Sequence, residues 1–183
     1  MNRLYLIDGY GGSPEINWLS NIEQKYKNRF DIQIIPYTNP TEANVVQWDL
    51  DLERGIEAPK DAYFICHSLG CITFLRYLQR HGIKIKGAIL VSGFKNEIEA
   101  FPQFNPYFKG LKEVSWKDLI GDAYVISSKT DQIINWKFTY ELADVLESPF
   151  ILLPHGGHFS SGEGIVEMPV IEKLINSNWL GTC

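Results

Sequence analysis

The feature that narrows the fold most is a steady exchange between short β-branched runs and amphipathic helical stretches. Leu4–Ile7, Phe30–Ile35, Ala62–Cys66, Ile85–Val91, Asp122–Ser127 and Phe150–Leu153 read as strands. Between them lie stretches with apolar residues at helical spacing. Ile16, Leu19, Ile22 and Tyr26 form the first, opened by Ser13 as N-cap, Pro14 at the first helical position and Glu15 in the first turn. Val45, Trp48, Leu52 and Ile56 form the second, with Thr41 or Asn44 as its start. Leu69–Arg80 forms the third, stopped by Gly82, and further helices are expected near Trp136–Leu146 and Val170–Asn178. Strands that alternate with helices build parallel βαβ units with right-handed crossovers and a sheet covered on both faces. The expected architecture is therefore a three-layer α/β sandwich of about six mostly parallel strands. Gly93–Ile120 interrupts the pattern: it carries Phe94, Phe101, Phe104, Tyr107, Phe108 and Trp116 without clear period. It reads either as a pocket rim beyond strand four or as an irregular crossover packing its aromatics on the core.

The chain of 183 residues is expected to form a single domain over 1–183. Its net charge of −5 gives no general attraction to nucleic acid or to an anionic membrane. No apolar stretch approaches the ~20 residues of a bilayer span, and the N-terminal apolar run is cut short by Asp8. Cys66, Cys71 and Cys183 are odd in number and not spaced as zinc ligands. A cytoplasmic protein needing neither metal nor organic cofactor is expected.

The most informative segment is Ala62-Tyr63-Phe64-Ile65-Cys66-His67-Ser68-Leu69-Gly70-Cys71. A strand runs directly into Ser68 and a helix follows at once, which is how a nucleophilic hydroxyl is exposed on a tight turn. The positions two before and two after the serine must be small; Gly70 and Cys66 occupy them. The competing role for Ser68 is a plain N-cap. Leu69, first in the helix, offers an N–H to an oxyanion.

A serine nucleophile needs a base and an orienting acid, which in this topology follow in the order Ser, acid, His on loops after later strands. Asp131 lies just past strand five and His158 just past strand six. His155 is the rival base, but Gly156-Gly157 suits a loop that swings His158 back over Ser68. Asp122 belongs to the wrong strand end, and Asp118 and Asp144 read as solvated surface. His67 reads as packing or rim, and His81 as a helix C-terminal cation. The loop Asp8-Gly9-Tyr10-Gly11-Gly12-Ser13 suits a second oxyanion donor, Tyr10 first, with Gly9 or Gly11 as alternatives. As a dinucleotide loop it fails, because Pro14 replaces the third glycine and no acid follows strand two.

Together, Gly9-Tyr10-Gly11-Gly12-Ser13, Trp18, Cys66-His67-Ser68-Leu69-Gly70-Cys71, Ser128-Lys129-Thr130-Asp131 and Gly157-His158-Phe159 resemble the α/β-hydrolase superfamily. Within it they are similar to the small serine hydrolases typified by retinoblastoma-binding protein 9 and bacterial YdeN. The sequence departs from that pattern at Cys66, where an elbow glycine is usual, and at Asp8, where many relatives carry histidine. The resemblance implies a reduced α/β-hydrolase fold, with Ser68, Asp131 and His158 as nucleophile, acid and base. With the serine strand central beside strand one, the expected sheet order is 2-1-3-4-5-6. The expected reaction is hydrolysis of a small acyl ester through an acyl-enzyme, with Gly9, Gly11 and Phe159 lining the substrate site. The rival is a non-catalytic protein-binding module on the same scaffold, contacting a partner through Gly93–Ile120.

Overall fold

The computed structural model describes residues 1–12, 17–111 and 115–181. Six strands, β1 (Asn2–Ile7), β2 (Phe30–Ile34), β3 (Tyr63–His67), β4 (Ile85–Val91), β5 (Ile120–Ser128) and β6 (Phe150–Leu153), form one sheet in the order β2-β1-β3-β4-β5-β6. Every pairing is parallel, as the alternation requires. The period-2 alternation of strand side chains explains the three layers. Tyr5, Ile7, Phe64, Cys66, Ala88, Leu90 and Val125 point into one core. Leu4, Leu6, Ile65, Ile89, Val91 and Ile126 point into the other. Both faces are apolar because both are covered.

Helices α2 (Val45–Gly55), α3 (Leu69–His81) and α4 (Trp136–Val145) supply Trp48, Leu52, Ile72, Leu75 and Leu142 to the first core. Helices α1 (Trp18–Tyr26) and α5 (Pro169–Leu174) supply Trp18, Leu19, Ile22 and Ile171 to the second. The expected start at Ser13-Pro14-Glu15 falls outside the described residues; α1 itself is capped by Asn17, whose side chain accepts the Ser20 N–H in a capping box. Of Thr41 and Asn44, Asn44 caps α2, accepting the Gln47 N–H. Gly82 ends α3 in the left-handed conformation, φ 60°. The last helix is not continuous α: after Leu174 it widens into a π-helical turn over Ile175–Trp179.

The irregular segment after β4 holds short 3-10 turns at Pro102–Tyr107 and Trp116–Asp118. Phe94, Phe104, Tyr107 and Trp116 are buried in the first core, so most of its aromatics serve packing. Phe104 also meets the exposed Tyr10 ring edge-on, centroids 5.5 Å apart, which brings this segment to the loop after β1. No helix among the described residues is long and apolar enough to cross a membrane.

Phe64 is fully buried and stacks between Tyr5 (5.1 Å) and Phe74 (4.7 Å), joining two strands to α3. Phe64→Ala is expected to lower stability by about 3–5 kcal/mol in chemical denaturation.

Candidate active site

The site is assembled where strands end. At the β3–α3 junction Ser68 takes φ 51°, ψ −125°, a region that costs a non-glycine residue about 1–3 kcal/mol. The surroundings hold it there. Its N–H donates to the Val91 carbonyl at 2.8 Å, and two backbones close over it. A Cβ on Gly70 would stand 2.3 Å from the Asp8 carbonyl oxygen, and one on Gly9 would stand 2.7 Å from Ser68 Cβ. Only glycine lets the loop after β1 and the first turn of α3 approach this closely. Cys66 fits without such conflict because its side chain points into the first core. Burial pushes the Cys66 and Cys71 thiols up, which keeps both uncharged.

Ser68 makes no side-chain cap to α3. Its hydroxyl instead lies 2.8 Å from His158 Nε2, and His158 Nδ1 lies 2.9 Å from Asp131 Oδ2. The carboxylate can only accept, so Nδ1 carries the proton and Nε2 is free to accept from the serine. Asp131 is fixed in turn. Its Oδ1 accepts the Ile133 and Ile134 N–H groups, and its Oδ2 also accepts the Ser92 hydroxyl at 2.9 Å. His155, the rival base, is exposed, whereas His158 is buried.

Around Ser68 the loop after β1 uses its N–H groups selectively. Gly9 N–H donates to Asp8 Oδ1, Gly11 N–H to the Pro40 carbonyl and Gly12 N–H to the Gly9 carbonyl. That leaves Tyr10, among the described residues, as the one member of Gly9–Gly12 whose N–H has no acceptor within the protein. Leu69, as the first residue of α3, has no helical partner for its N–H.

Several supporting residues carried no functional expectation. Ser92 sits at the end of β4 in a left-handed conformation, φ 48°. Glu163 accepts the His158 N–H at 2.9 Å and the Ser160 hydroxyl at 2.8 Å. Partial burial opposes its charge, but these donors outweigh that and hold its pKa below the usual range. A Ser-x-x-Glu spacing at Ser160–Glu163 is a readable capping signal. Trp18 Nε1–H donates to the Phe159 carbonyl at 2.9 Å. His67, read as packing or rim, is buried against the Trp18 and His158 rings and lines the cavity beside Ser68, and it also makes two polar contacts: Nδ1 lies 3.0 Å from Asp8 Oδ1 and Nε2 lies 2.8 Å from the His158 carbonyl. Three residues with positive φ, Ser68, Ser92 and Phe159, stand at this one edge, where strain is retained because the packing determines it.

A small cavity of about 80 Å³ opens beside Ser68, lined by Tyr10, Gly11, Gly12, Trp18, His67 and Phe159 among others. Gly9 lies against Ser68 instead of along the cavity, and Phe159 is largely buried in the second core.

A sequence model of the serine hydrolase family matches residues 4–177. The chain belongs to the serine hydrolase family. YdeN of Bacillus subtilis (strain 168) is 27% identical over 183 residues, spanning 96% of this chain and 95% of that protein. The crystal structure of the B. subtilis ydeN gene product superposes with a TM-score of 0.89 at 26% identity, over 96% and 97% of the two chains. A carboxylesterase structure from the thaumarchaeon Nitrososphaera gargenis shares the fold, with a TM-score of 0.71 at 15% identity over 95% and 88% of the chains. This serine hydrolase thus has the α/β-hydrolase fold.

In this family member the approach of Gly70 to Asp8 is the tightest constraint on the elbow. Gly70→Ala is expected to destabilise the protein by about 1–3 kcal/mol, read as a lower thermal midpoint.

Proposed function

We propose that the protein hydrolyses esters of small acyl groups through an acyl-enzyme on Ser68. The observation that carries this reading is the unbroken hydrogen-bonded chain from Ser68 Oγ through His158 to Asp131. Ser68 attacks the ester carbonyl while its proton passes to His158 Nε2. Asp131 keeps the imidazole in the required tautomer and stabilises the imidazolium that forms. The Leu69 and Tyr10 N–H groups receive the charge that develops on the carbonyl oxygen; each such donor is worth about 10²–10³-fold in rate. His158 then returns the proton to the departing alcohol. Water attacks the acyl-enzyme with His158 again as base, and Ser68 is released.

The buried, hydrogen-bonded Asp131 supports its role as orienter, and the unengaged Tyr10 N–H supports its role as donor. The small volume of the cavity, about 80 Å³, favours a short acyl chain. The carboxylesterase among the structures of like fold agrees with an ester substrate.

The test is a series of p-nitrophenyl esters of increasing acyl length. Turnover is expected to be fastest for the shortest chains. Ser68→Ala should remove activity by about 10⁶-fold, into the background, and Asp131→Asn should lower kcat by about 10⁴-fold. A folded protein that turns over no ester, or a Ser68→Ala variant that retains turnover, contradicts the reading.

A further inference from the structure

A second histidine–aspartate pair lies directly behind the first. His67 is buried between two groups that both call for a proton. Its Nε2 faces the His158 backbone carbonyl at 2.8 Å, and a carbonyl only accepts. Its Nδ1 faces Asp8 Oδ1 at 3.0 Å. Asp8 in turn already accepts from the Gly9 N–H at Oδ1 (2.7 Å) and from Asn17 Nδ2 at Oδ2 (2.6 Å), so its carboxylate stands as an acceptor on both oxygens. A neutral imidazole has one N–H and cannot satisfy both sides. The doubly protonated ring can.

We propose that His67 is a positioning residue, held as an imidazolium between Asp8 and the His158 carbonyl, that ties the loop of the catalytic base to the oxyanion loop. The inference rests on the hydrolase reading above. One end of the strap is Asp8, whose carboxylate also fixes Gly9 N–H, one residue before Tyr10. The other end is the backbone of His158 itself. Proton transfer from Ser68 to His158 depends on that backbone staying in register, because a shift of about 1 Å can cost on the order of 10²-fold. Asp8 thus supplies the counter-charge that a cationic His67 requires.

The titratable groups around His67 are Asp8 after β1, Asp131 after β5 and His158 after β6, whose ring centroid is 5.0 Å away. From α1 the ring meets only the uncharged Trp18, edge-on. Burial alone would discharge His67, but the hydrogen bond and charge of Asp8, with the His158 carbonyl, outweigh it and raise its pKa above the usual 6.5. The strap is therefore complete on the acid side of that raised value and is released as pH climbs through it, when one ring nitrogen loses its proton.

The test pairs two measurements. Nitrogen-15 NMR of histidine-labelled protein, without substrate, is expected to show one imidazole with both ring nitrogens protonated at pH 7, absent from His67→Gln. The kcat for p-nitrophenyl acetate is expected to fall on the alkaline side with the same titration. In Asp8→Asn, which lacks the counter-charge, that fall should move to lower pH, with kcat reduced about tenfold or more at pH 8 and KM changed far less. A wild-type enzyme that turns over the ester while His67 shows one unprotonated nitrogen at pH 7 overturns the inference alone. So does an alkaline profile unmoved in both variants. A wild-type protein with no turnover overturns the hydrolase reading, and the positioning role with it.

Discussion

The structure depends on one close approach: the backbone of Asp8 and Gly9 lies against Ser68 Cβ and the first turn of α3, with no room for a Cβ on Gly9 or Gly70. This contact joins the loop after β1 to the first turn of α3, two elements that meet only because β1 and β3 are adjacent in the sheet. It fixes the unusual backbone of Ser68, places the Leu69 N–H beside the loop that carries Tyr10, and sets the position of the Asp8 carboxylate. In a parallel sheet all strands end on the same side, so loops after β1, β3, β4, β5 and β6 reach one rim. Chemistry gathers there as a consequence of topology.

The base's loop is the element most in need of support, since it follows a strand of only four residues, Phe150–Leu153, at the sheet edge. It is held from several directions. Glu163 takes the His158 N–H, His67 meets the His158 carbonyl, Trp18 donates to the Phe159 carbonyl, and Thr130 Oγ1 accepts the Gly157 N–H. Gly156 and Gly157, at φ 141° and 55°, supply the backbone conformations that turn this loop and bring His158 back over Ser68. Charge-assisted bonds to Glu163 and His67 are the stronger members of this set. The histidine is thus held in place, and the hydroxyl of Ser68 meets an imidazole already oriented.

Much of this was legible in the sequence because it rests on local signals. The β-branched runs mark all six strands, and their parallel sense follows from the alternation with helices; their order follows from placing the serine strand centrally beside strand one. Asn44 and Gly82 are readable helix boundaries. The Ser68, Asp131 and His158 positions are legible because Ser68 stands directly at the end of a recognisable strand and the other two stand on loops just past later ones. Other features escape because their partners are backbone atoms or distant residues. Nothing in the local sequence shows that His67 will meet the carbonyl of His158, or that Asp8 will stand 59 positions away from it yet in contact. Ser92 looks like an ordinary strand terminus until β4 and β5 are aligned. The π-helical turn at Ile175–Trp179 arises inside a stretch whose apolar spacing reads as plain α-helix.

Activation of Ser68 as a nucleophile by His158 is tested most directly by a fluorophosphonate probe followed by peptide mapping. A single covalent adduct on Ser68 is expected. A folded protein left unmodified, or an adduct carried by a different serine, would contradict it.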